Sequence, residues 1–128
     1  MLSRSILAAL ITGALSLLVA GCGGDDIDTM PKAFIQLFDD STATLKTITD
    51  VPTARAAEPK LKELAARKAK LDDQAKTTTL SKDGMAKSDA KYVEPIKQAG
   101  EKMGAEIGRI ATASPEAAEI VAAAMGMR

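Results

Sequence analysis

The stretch KAFIQLFDDSTATLKTITD, residues 32–50, decides the fold. Phe34, Leu37, Phe38, Leu45 and Ile48 recur at intervals of three, four and seven, which places them on one face of a helix. No β-branched alternating run competes with this pattern anywhere downstream. Thr42, Thr44, Thr47 and Thr49 lower helix propensity, so the second half of this helix is its weaker half. Asp50 either ends the helix or caps the next one. The spacing predicts a first helix over about 32–49.

The same period continues toward the C-terminus. A second helix is expected over about 52–75, with Asp50 as its cap and Pro52 in its first turn. Its apolar stripe is Ala57, Leu61, Leu64, Leu71 and Ala75, with lysines and Arg67 on other faces. Pro59 lacks an N–H and crowds the carbonyl four residues back, so a kink or a fresh start is expected there. Thr77 to Ser81 break the pattern, and Ser81 can cap a third helix over about 82–111. Its stripe is Met85, Tyr92, Ile96, Met103, Ile107 and Ile110, and Pro95 repeats the kink problem. Ser114, Pro115 and Glu116 then open a short helix over about 115–125: a capping hydroxyl, a proline suited to the first turn and an acid near the positive helix end. The expected fold is all-α. It is an antiparallel three-helix bundle with a short C-terminal fourth helix, residues 32–128 forming one domain, because short connections favour antiparallel neighbours.

Upstream the chain changes character. Arg4 is followed by an apolar run from Ile6 to Ala20, interrupted by Thr12, Gly13 and Ser16, and then by Gly21 and Cys22. A charged start, a short apolar stretch and a small-residue cleavage site make a signal peptide. The run falls short of the ~20 residues needed to span a bilayer. Val19-Ala20-Gly21-Cys22 resembles the lipobox of bacterial lipoproteins. That resemblance implies that residues 1–21 are a helical leader recognised through Val19, Ala20 and Gly21 and cut before Cys22. It also implies that Cys22 carries diacylglycerol on sulfur and a further acyl chain, such as palmitate, on its new amine. Two or three acyl chains anchor stably where one does not. Asp directly after the lipidated Cys is the familiar signal for retention in the inner membrane. Gly23 stands there, so the outer membrane, facing the periplasm, is favoured. Residues 22–31 read as a flexible tether, with Gly23 and Gly24 free to flex and Asp25, Asp26 and Asp28 solvated. Beyond the lipobox, residues 45–75 look like helical segments of other small bacterial lipoproteins, and this adds no activity.

Composition narrows the function further. The chain holds 17 basic and 17 acidic side chains, and loss of Arg4 with the leader leaves one acid in excess. The aromatics are Phe34, Phe38 and Tyr92. There is no basic patch interleaved with aromatics, so nucleic acid is not an expected partner. Cys22 is the single cysteine, which leaves no intramolecular disulfide. Histidine is absent, and no phosphate loop or nucleophile elbow occurs. Glu58 and Glu94 could form an acid–base pair in principle, but nothing in the pattern places them together. Asp39-Asp40 and Asp72-Asp73 read as solvated helix faces. Met103, Met125 and Met127 read as core filling rather than a thioether metal site. No metal or other cofactor is expected.

Gly100, Gly104 and Gly108 stand four apart and share one helix face. Each glycine costs about 1 kcal/mol against Ala inside a helix. Three in register suggest a stripe that admits a closely packed helix. The natural partner is the last helix, through Ala117, Ala118, Val121 and Ala124, and self-association through a second copy is the alternative. Function is expected to be a non-enzymatic, lipid-anchored structural or interaction module of the cell envelope with an envelope protein as partner. The alternative is a carrier of a lipid or small apolar ligand.

Overall fold

The computed structural model describes residues 26–127. Among these, four helices follow one another with no strand: α1 Thr29–Lys46, α2 Val51–Thr77, α3 Lys82–Ala113 and α4 Pro115–Ala124. The expected leader, the lipobox-like residues Val19, Ala20, Gly21 and Cys22, and Gly23 to Asp25 lie outside the described residues.

The caps sit where the local sequence calls for them. Asp50 Oδ1 accepts the Thr53 N–H at 2.9 Å, and the Asp50 N–H donates to Thr53 Oγ1 at 3.0 Å, which closes a reciprocal box at the start of α2. Ser81 Oγ accepts the Gly84 N–H at 3.0 Å. Ser114 ends α3 with its own N–H on the Ile110 carbonyl and opens α4 with its Oγ on the Ala117 N–H at 3.2 Å. One extended residue therefore turns the chain. At the far end Gly126 takes φ +68°, and the Met127 N–H reaches the Ala122 carbonyl at 2.9 Å, a closure that favours a residue without a β-carbon.

Two boundaries differ from expectation for physical reasons. α1 begins at Thr29, not near Lys32, because Asp26 Oδ1 accepts the N–H groups of Asp28 and Thr29 at 3.1 and 3.0 Å. It ends at Lys46. The hydroxyls of Ser41, Thr42 and Thr44 bond back to the carbonyls of Leu37, Phe38 and Asp40, which satisfies them inside the helix. Nor does either internal proline break its helix. Pro59 and Pro95 are exposed, so the carbonyls they leave unpaired can face water.

α1 packs on both α2 and α3, and α4 packs on both from the other side. α2 and α3 do not approach each other within 8 Å between Cα atoms. Asp40 opposite Arg67 makes α1 and α2 antiparallel, while Asp28 opposite Lys91 and the Leu45 carbonyl opposite Arg109 make α1 and α3 parallel. The bundle is thus up-down-up, closed at one end by a short helix. Its core gathers at that closed end: Leu45, Ile48, Ala54, Leu61, Leu64, Ile110, Ala117 and Val121 are almost fully buried. Met85 and Val93, on the first half of α3, are each 54 % exposed.

The glycine stripe is not a helix contact within the chain. Gly100 is half-buried, and Gly104 and Gly108 are exposed. A β-carbon built at any of the three meets no neighbouring atom within 4 Å. Ile110 of α3 instead shares the buried core with Ala117, Val121 and Ala124 of α4, and Met103 and Ile107 pack against that core, where larger side chains bury more apolar surface than glycines can.

Two substitutions read this packing by urea denaturation. Gly104→Ala should stabilise the domain by up to about 1 kcal/mol, since only helix propensity changes; a loss of stability would mean that the stripe is covered. Leu45→Ala should cost about 2–5 kcal/mol, as expected for a truncated core leucine.

A candidate functional site at the amino-terminal end of the bundle

The first described residues do not run free. Asp28 Oδ1 accepts the Lys91 ammonium at 2.8 Å and the Tyr92 hydroxyl in a short hydrogen bond. Ser88 Oγ donates to the Ile27 carbonyl at 3.5 Å. Lys91 Nζ also lies 5.3 Å from the Tyr92 ring centroid, within range of a cation–π contact. Tyr92 is only 6 % exposed, and a buried phenol needs a partner for its hydroxyl. Asp28 supplies it. Of the expected tether 22–31, residues 22–25 lie outside the described residues; in the described part Asp26 accepts the Asp28 and Thr29 N–H groups at the start of α1 and Asp28 clamps the chain to α3.

The electrostatics follow from these contacts. Lys91, then Tyr92, holds the Asp28 carboxyl below the usual carboxylate range. The same carboxylate pushes the Tyr92 phenol up and the Lys91 ammonium up. Hydrogen bonds from Thr29 lower Asp26.

Beside the clamp lies an open groove of ≈ 220 Å³. Its floor is Met30, Pro31 and Phe34 from the start of α1; Leu80 and Ile96 stand on its walls, and Asp26 and Ile27 form its rim. The groove exists because α2 and α3 stay apart and α4 is too short to fill the gap at this end. Other surface grooves are more polar in character, such as one between α2 and α4 edged by Arg55, Glu58, Lys62 and Glu116.

The remaining candidates resolve individually. Glu58 pairs with Lys62 at 3.7 Å, while Glu94 is exposed on a helix that α2 does not touch, so the two acids do not meet. Asp40 is not simply solvated: Arg67 at 2.8 Å and Gln36 at 2.8 Å hold it between α1 and α2 and lower its pKa, Arg67 contributing most. Asp72 and Asp73 pair within their own helix with Lys68 and Lys76. Met103 and Met125 pack against the core, and Met127 is exposed. Among the described residues no cluster of three or more His, Cys, Asp or Glu could hold a metal ion, and no helix is long and apolar enough to cross a membrane. Sequence reasoning missed Lys91 and Arg109. Arg109 Nη2 donates to the carbonyls of Leu45 and Ile48, both at 3.0 Å, and so ties the end of α1 to α3. The one available signal for the clamp was a tyrosine on an apolar stripe, whose hydroxyl required an acceptor. No protein-family model, curated protein or solved structure matches the chain.

Tyr92 is the only tyrosine and tryptophan is absent, so tyrosinate absorbance reports this one residue. Its ionisation should lie above the ordinary tyrosine range of about 10 and fall in Asp28→Ala; an unchanged midpoint would contradict the clamp. The lowered carboxyls of Asp26, Asp28, Asp40 and Asp50 contribute stability that is complete above their unfolded pKa and lost as pH falls through their folded values. Denaturant midpoints should accordingly hold near neutrality and drop below about pH 4.

Proposed function

We propose that this chain is a lipid-anchored helical interaction module of the bacterial cell envelope, acting by contact rather than catalysis. The observation that carries the reading is the lipobox Val19-Ala20-Gly21-Cys22 set close before a pinned chain. Between Cys22 and Asp26 stand only Gly23, Gly24 and Asp25. Fully extended, those links reach at most ~14 Å. A lipid on Cys22 therefore holds the open, groove-bearing end of the bundle next to the bilayer. The closed end, with the α1–α2 turn and the Ser114 junction, points away. α1 has 18 residues and is about 27 Å long, so the module is a short stand whose far end is presented to an envelope partner or a second copy. Gly23 after Cys22 favours the outer membrane, with the domain facing the periplasm.

The absence of histidine and of any cysteine besides Cys22 supports a non-enzymatic reading, as does the separation of Glu58 from Glu94. A carrier of a free lipid or compact apolar ligand is less well supported. Pockets for such ligands usually enclose most of the ligand's surface, and the grooves of this domain lie open to solvent.

Cys22→Ser tests the anchor in cells by membrane fractionation and intact mass. The variant should lose both the lipid mass and cleavage before residue 22. Continued cleavage at that position with lipid still attached would overturn the reading.

A further inference from the structure

We propose that the groove at the amino-terminal end of the bundle receives one of the acyl chains borne by Cys22. The inference rests on the reading of Cys22 as the lipidated residue and adds where one chain goes. The pinned segment brings the anchor close to the groove: Asp26 and Ile27 line it, and Asp28 is clamped to Lys91 and Tyr92 beside it. Cys22 lies at most ~14 Å of extended chain from Asp26.

Shape and chemistry select the occupant. The groove holds ≈ 220 Å³ and is floored by Met30, Pro31 and Phe34 between walls carrying Leu80 and Ile96. Part of a single linear hydrocarbon chain matches this apolar lining, and it asks for no hydrogen bonds from it. A chain attached through a three-residue linker is also confined near the groove, at an effective concentration on the order of millimolar. The remaining acyl chains stay in the bilayer and keep the module attached. One chain in the groove fixes the bundle's tilt on the membrane, which a flexible tether alone would leave free.

The test uses the lipoprotein made by cells fed a fatty acid that carries a photoreactive diazirine. The purified chain is irradiated in detergent micelles and in vesicles, and its peptides are mapped by mass spectrometry. The expected result is label on the Cys22 peptide, with crosslinks from it to the peptides containing Met30, Phe34, Leu80 or Ile96. Leu80→Asp and Ile96→Asp should each lower those crosslinks several-fold while leaving the circular dichroism spectrum helical. Because Leu80 lies in the turn between α2 and α3, its replacement leaves both helices intact. Label on Cys22 with crosslinks only to lipid, detergent or the closed end of the bundle would overturn the groove and leave the anchor standing. No label on Cys22 would overturn the anchor, and the groove assignment with it.

Discussion

The fold depends on the wedge that α4 drives between α2 and α3. Ala117, Val121 and Ala124 are buried there, in one core cluster with the small and medium side chains Ala54, Leu61 and Ile110. A chain with only three aromatics has few bulky groups with which to span a wide gap. It closes the gap with a fourth helix instead. α4 has ten residues against 27 in α2, so it is about 15 Å long beside a helix of about 40 Å. Closure is therefore confined to one end. The solid core, the open groove and the exposed Met85 and Val93 all follow from that difference in length.

α1 is the element that both ends share. Three polar ties distribute along it: Asp28 to Lys91 and Tyr92 near its start, Asp40 to Arg67 at its middle, and its last carbonyls to Arg109. The ion pairs are partly exposed and individually contribute little. Their value is positional. Arg109 places a cation at the negative end of α1 and satisfies carbonyls that the helix itself leaves open. The clamp at Asp28 ties the first described residues to α3.

Helix number, order and caps were legible in the sequence because they are local. Asp50, Ser81 and Ser114 each act on an N–H three residues away, and the apolar stripes need only their own period. What was not legible depends on neighbours far along the chain. Asp28 and Lys91 are 63 positions apart, and no pattern links them. The glycine stripe was correctly seen as one helix face, but only the placement of α4 shows that this face looks outward. At Pro59 the fresh start fell away, and α2 and α3 run on through Pro59 and Pro95, with continuity decided by packing on either side and by access of the freed carbonyls to water. The resemblance of residues 19–22 to a lipobox is the reverse case, a reading that rests entirely on their order.

The parallel course of α1 and α3 has a mechanical consequence. A pull on the chain at Asp26, directed away from the open end, acts nearly along the axis of α1. Such a load shears α1 past α2 and α3, so its contacts are strained together rather than peeled apart one by one. The Asp28 clamp stands first in line and passes the force to α3 before it reaches the buried leucines. Tension at the amino-terminal end would thus free a few residues of slack there first, while the wedge at the opposite end stayed shut.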